Sequence, residues 1–199
     1  PDAPGVDERA IVAETHLSVV LLTGDRALKF PKPVRLPFVD QSTPERRGAA
    51  CRREVELNRR LAPDVYLGVL DLVRDGAPVD HLIEMRRMPA GRRLATLART
   101  HHPDAADEIR RVARRLAAFH ADAGRSPTIS TAGGPDAVRT LWQDNLAEMT
   151  VFTPAVLDAG ALAEVGREAM AYLDGREDLL ERRRGDGLIV DGHGDLLAD

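Results

Sequence analysis

The chain has 199 residues, a formal net charge of -4 at pH 7, 43% hydrophobic residues and 30% charged ones, a balance ordinary for a globular protein. The slight acidity gives no electrostatic footprint for nucleic acid, and no apolar run approaches the roughly 20 residues that would cross a membrane. The lone cysteine, Cys51, excludes an internal disulfide and fits a reducing compartment; with an N-terminus, Pro1-Asp2-Ala3-Pro4, unlike a signal peptide, it gives a cytoplasmic expectation.

Residues 11–13 read as a short strand, followed by a polar link over 14–18. Two apolar runs, 19–22 and 26–30, flank the turn Thr23-Gly24-Asp25 and predict a β-hairpin. Pro31, Pro33 and Pro37 end its second strand, because proline cannot donate to a ladder. Lys29 lies inside that strand, between Leu28 and Phe30, and is one of only two lysines in an arginine-rich chain. A compact ammonium suits point-charge contact with phosphate oxygens better than a planar guanidinium does.

Thr43-Pro44-Glu45 is a helix start: a capping hydroxyl, proline at the first helical position and an acid in the first turn. The helix is expected to run to about Leu61, with an apolar stripe of Ala50, Leu57 and Leu61. Glu54 falls in that stripe, and the residues three and four away are Ala50, Cys51, Leu57 and Asn58, none of them a cation. A carboxylate on a buried face needs a distant partner. Lys29 in the preceding hairpin is the economical candidate, and a strand-lysine, helix-glutamate pair is the device that holds the phosphate-contacting lysine in protein kinases.

Residues 66–73 and 79–85, joined by a turn over 74–78, predict a second hairpin. From about Pro103 the apolar period changes from two to 3.6. Ile109, Val112, Ala113, Leu116 and His120 mark one helical face; a loop follows over 123–134. Val138, Leu141, Trp142, Asn145 and Met149 mark a second helix, Leu162, Val165, Ala169 and Tyr172 a third, and a short helix lies around Leu179. Trp142 reads as a packing residue and Arg182-Arg183-Arg184 as cations at a helix C-terminus.

Leu188-Ile189-Val190 predicts a short buried strand, and Asp191-Gly192-His193-Gly194-Asp195-Leu196 a tight turn presenting Asp195 at the mouth of a loop. Phosphoryl transfer needs an acceptor near the attacking hydroxyl, because that proton leaves as the new P–O bond forms. Other chemistries find no foothold. The histidines form no i, i+4 pair, and the chain has no Cys-x-x-Cys, no Gly-x-Ser-x-Gly elbow and no Gly-x-x-x-x-Gly-Lys loop.

Gly192-His193-Gly194-Asp195-Leu196 resembles the catalytic loop of the aminoglycoside phosphotransferase-like small-molecule kinases. The resemblance implies an α+β, protein-kinase-like two-lobed fold: residues 1–88 as a small β-rich nucleotide-binding lobe, 89–199 as an incomplete helical lobe. It implies ATP and Mg²⁺ as cofactors and a small hydroxylated molecule as acceptor, with neither nucleic acid nor membrane as partner. Asp195 matches the catalytic aspartate and His193 the structural histidine. Lys29 and Glu54 match the phosphate-holding pair. Ser18, with main-chain N–H groups near His16, takes the place of a glycine-rich loop over the phosphates. Residues 83–89, with Glu84, Met85 and Arg86, match the hinge that binds adenine; Met85 reads equally as core filler. The magnesium ligands are expected from residue 200 onward, and the chain is expected to be the first part of a longer protein that carries a P-loop domain, as in one bacterial branch of the family. A non-catalytic nucleotide-binding module is the alternative reading of the same residues.

Overall fold

The computed structural model describes residues 10–36 and 38–197; Pro1 to Pro4 and Pro37 lie outside them. The fold is a mixture of antiparallel sheet and helices, in the class α+β. Two compact units divide the chain, one ending at Arg115 and the second running from Leu116 to Leu196. The sequence reading sets this division near residue 88.

In the first unit, β1 (Ile11–Glu14), β2 (Ser18–Thr23) and β3 (Arg26–Pro31) form a meander. Helix α1 (Pro44–Asn58) follows a two-stranded β4 (Arg35–Leu36) and β5 (Val39–Asp40) ribbon. A long hairpin, β6 (Tyr66–Arg74) and β7 (Ala77–Arg86), completes a five-stranded antiparallel sheet in the order β1-β2-β3-β7-β6. The turns explain the register. Gly24 takes φ +50° between paired Thr23 and Arg26, and Asp75-Gly76 takes φ +52° and +80° between paired Arg74 and Ala77. Both are two-residue turns whose left-handed backbone matches the strand twist.

Thr43 caps α1, its hydroxyl accepting from Arg46 N at 3.4 Å, with Pro44 beginning the helix. The helix ends at Asn58, three residues short of the expectation. Its buried face is Arg47, Gly48, Cys51 and Val55, which corrects the expected stripe of Ala50, Leu57 and Leu61: those three are only half-buried. The core of this unit is Cys51, Val55 and Ile83, packed by Tyr66, Val69 and Met85. A 3₁₀ turn, Ala90–Arg92, and α2 (Leu94–Arg99) follow, with Leu97 buried. Helix α3 (Ala105–Asp122) then carries the chain across the division.

The second unit contains α4 (Pro127–Ala132), α5 (Pro135–Thr150), α6 (Ala159–Asp174) and α7 (Glu177–Gly185). Leu162 and Leu173 on α6 are buried, as is Ala123. Leu146 of α5 lies beside Gly166 of α6, where a Cβ would meet its Cδ1 at 3.4 Å, an ordinary contact distance. Trp142 shares a groove with Val138, Tyr172 and Leu173. Two expectations are corrected here. The loop foreseen over 123–134 contains α4, started by Ser126, whose hydroxyl accepts from Ile129 N at 3.1 Å, and by Pro127. Leu188-Ile189-Val190 is not a strand; among the described residues no strand lies alongside it, so its β propensity has no ladder to join. Among the described residues, no helix is long and apolar enough to cross a membrane.

Candidate functional site

Lys29 and Glu54 meet. Lys29 stands opposite Val20 on β2 and Ile83 on β7, on the sheet face that packs against α1. Its Nζ donates to Glu54 Oε1 at 2.8 Å and Oε2 at 2.9 Å, with the two side chains 29% and 28% exposed. An ammonium carries three donors, so one N–H remains after both carboxylate oxygens are served. Asn58 Nδ2 donates to the Glu54 carbonyl at 2.9 Å and holds the turn below.

Negative charge at Glu54 acts on its neighbours. Burial, and after it the Glu54 carboxylate, pushes the Cys51 thiol up to about 11 and the Tyr66 hydroxyl above its ordinary value. Cys51 is therefore an inert core residue at neutral pH.

The sequence reading misses Arg47. This guanidinium is 6% exposed; its Nε and Nη2 each donate to an Asp80 oxygen at 2.8 Å, and Nη1 donates to the Gln41 carbonyl at 2.9 Å. Asp80 also accepts from His81 N at 2.8 Å. Burial raises the Asp80 carboxyl, but the Arg47 and His81 hydrogen bonds outweigh it, and the net displacement is downward. His81 Nδ1 lies 2.8 Å from Asp71 Oδ1. Nothing in the sequence sets Arg47 apart from the other arginines of α1; the rotation of the helix alone turns it to Asp80.

Ser18 turns inward. It is 3% exposed, its N–H donates to Thr15 Oγ1 at 3.0 Å and its hydroxyl lies 3.1 Å from the same atom. Leu17 N–H also goes to Thr15 Oγ1, at 3.3 Å. The hydroxyl expected over the phosphates is thus committed to its own turn, and His16 supplies the segment's N–H that has no hydrogen bond among the described residues.

The expected hinge residues lie in the sheet. Glu84 accepts from Arg26 Nε at 3.0 Å, and Met85 packs on the Cys51 core. Arg86 N donates to Val65 O and Arg87 N to Asp25 O, both at 2.8 Å. Ladders on both sides engage residues 83–85. Met88 is the first position whose main-chain N–H and C=O have no hydrogen bond among the described residues.

In the second unit, Asp191 N donates to Gly124 O at 3.0 Å and Gly192 N to Val190 O at 2.8 Å. Gly194 takes φ +80°, a left-handed turn that a side chain would strain. Asp195 N donates to His193 Nδ1 at 3.3 Å. A neutral His193 ring accepting there carries its proton on Nε2. His193 therefore ties the loop to itself and leaves the Asp195 carboxylate exposed. Arg125 closes the end of α3, donating to the carbonyls of His120, Ala121 and Ala123 and to Gly187 O, at 3.0–3.2 Å. Among the described residues no group of three or more His, Cys, Asp or Glu side chains is placed to hold a metal ion. Asp195 alone does not make a magnesium site, which needs several oxygen ligands.

No protein-family model matches the chain. Three curated relatives are 41% identical to it over 201 residues and cover 100% of its length: Uncharacterized protein Rv2004c of Mycobacterium tuberculosis H37Rv, Uncharacterized protein MT2060 of Mycobacterium tuberculosis CDC 1551 and Uncharacterized protein Mb2027c of Mycobacterium bovis. The chain spans 39% of the length of each.

Proposed function

We propose that this chain belongs to an ATP-dependent phosphotransferase of the aminoglycoside phosphotransferase-like, protein-kinase-like class, acting on a hydroxyl of a small polar molecule. The observation that carries the reading is the Lys29–Glu54 pair, which joins a central strand to a helix through both carboxylate oxygens. Lys29 retains a donor for the α/β-phosphates, and Glu54 fixes where that donor points. The main chain of Met88 supplies the free donor and acceptor that an adenine edge requires, two residues beyond Arg86.

In the reaction, the acceptor oxygen attacks the γ-phosphorus and the bond to the β–γ bridging oxygen breaks. The hydroxyl proton passes to Asp195, presented on a loop that His193 braces. Magnesium, when bound, would neutralise charge on the β- and γ-oxygens; the described residues do not assemble its site. Much of the relatives' length lies outside the matched region, which leaves room for a P-loop domain in the whole protein.

The test is turnover and binding in the full-length protein. Asp195→Asn is expected to lower ATP turnover on the order of 10²–10⁴-fold while leaving ATP binding intact. Lys29→Ala is expected to abolish the thermal shift given by ATP. Unchanged turnover in Asp195→Asn removes the catalytic assignment. ATP binding without any turnover in the wild type selects the non-catalytic module.

A further inference from the structure

Arg47 and Glu54 are seven residues apart on α1, so they share one face, offset by only about 20°, and are separated by about 10.5 Å along the axis. Their partners have the same spacing on the sheet. Glu54 pairs with Lys29, which stands level with Ile83, and Arg47 pairs with Asp80, three residues earlier on β7, or about 10 Å along a strand. We infer that the Arg47–Asp80 pair is a positioning latch, which sets the rotation of α1 and thereby holds Glu54 against Lys29. The inference rests on reading Lys29 as the phosphate-binding group.

One ion pair is a pivot; two pairs about 10 Å apart on the same helix face fix its rotation. The fork geometry matters, because two parallel N–H···O bonds accept a single guanidinium orientation, which an ammonium does not impose. A buried ion pair is weak support for stability, and apolar side chains of similar volume would serve a core as well. What it adds is directionality. The neighbouring residues tighten the same seat: the His81 ring lies so close to α1 that a Cβ on Gly48 would be 2.5 Å from His81 Cδ2. The helix is thus seated against β7 at the latch end and against β3 at the Glu54 end.

The chain's lysines are Lys29 and Lys32, so acylation by an N-hydroxysuccinimide ester, read by peptide mass spectrometry on the folded chain, reports on Lys29 without any nucleotide. Lys32, paired with Glu14, is the internal standard. Arg47→Lys keeps the charge and loses the fork; Arg47→Met with Asp80→Leu removes both charges, for the case in which the single variant fails to fold. Circular dichroism confirms folding. Acylation of Lys29 is expected to rise roughly threefold or more in either variant, with Lys32 unchanged, as for members of one coupled network. In a Glu54→Gln background the latch variants are expected to add nothing further, because their effect runs through Glu54. An unchanged Lys29 rate in a folded latch variant overturns the inference, and so does a rise that adds fully to that of Glu54→Gln. ATP protection of Lys29 in the wild type is read separately. Its absence counts against the phosphotransferase reading, and the latch is then judged on acylation alone.

Discussion

Lys29 and Glu54, 25 positions apart in the chain, are joined at 2.8 and 2.9 Å through both oxygens of the carboxylate. With each side chain more than a quarter exposed, such a pair contributes less than about 1 kcal/mol to stability. Its value then lies in where it points the ammonium. Glu54→Gln is expected to change the unfolding free energy in urea by less than about 1 kcal/mol. ATP affinity, measured by calorimetry, is expected to fall about tenfold or more, which corresponds to 1.4 kcal/mol. Lost stability with unaltered affinity would make the pair a structural brace.

Gly48 and His81 make a second close fit. A Cβ at Gly48 would meet His81 Cδ2 at 2.5 Å and Nε2 at 2.7 Å. Gly48→Ala is therefore expected to destabilise the chain by about 1–3 kcal/mol through overpacking, despite the gain in helix propensity. Adding His81→Ala should recover part of that loss. Urea unfolding of the two single variants and the double variant measures this non-additivity; strict additivity would mean that the two sites are independent.

Much of the first unit is legible because its signals are local. Gly24-Asp25 and Asp75-Gly76 announce turns, and Thr43-Pro44 announces a helix. Glu54 stands out because no cation lies one turn away on its helix, although the apolar stripe expected around it is not the face that α1 buries. Arg47 carries no such mark: it is one of several arginines on α1, and only the rotation of the helix decides that it, not Arg46 or Arg52, faces Asp80. Residues 188–190 show the opposite failure. Leu188, Ile189 and Val190 have strand propensity, but a strand exists only beside another, and the described chain puts Gly133 there instead. The short α4 hides because Ser126-Pro127 reads equally as a turn and as a helix start.

The Asp80 carboxyl sits below its ordinary value in the fold, so the folded state binds fewer protons than the unfolded one as pH falls through that range. Stability from this group is therefore present above the unfolded pKa, about 3.9, and is lost as pH falls below it. Asp80→Asn is expected to flatten that acid-side slope. At pH 7 it is expected to cost about 3 kcal/mol, since buried Arg47 keeps its charge without a carboxylate. Urea unfolding between pH 3 and pH 7, an interval spanning the ordinary carboxylate range, measures both. Parallel pH profiles for wild type and variant would place the acid sensitivity elsewhere.

Gly133 ends α4 and touches the segment that leads to Asp195. Its φ of -102° suits any residue, so the need for glycine is one of space. A Cβ there would lie 2.5 Å from Ile189 Cγ2 and 3.0 Å from its Cδ1. Ile189 is half-buried, and two residues on, Asp191 N is bonded to Gly124 O. Pushing Ile189 outward would pull that amide from its acceptor and shift the His193–Asp195 turn behind it. Gly133→Ala is expected to cost about 1–3 kcal/mol and to speed hydrogen exchange at the Asp191 amide more than at amides in the sheet of the first unit. In the full-length protein, turnover should fall while ATP affinity holds, because Lys29, Glu54 and Met88 lie outside this unit. A fall in ATP affinity with exchange at Asp191 unaltered would mean that Gly133 acts by another route.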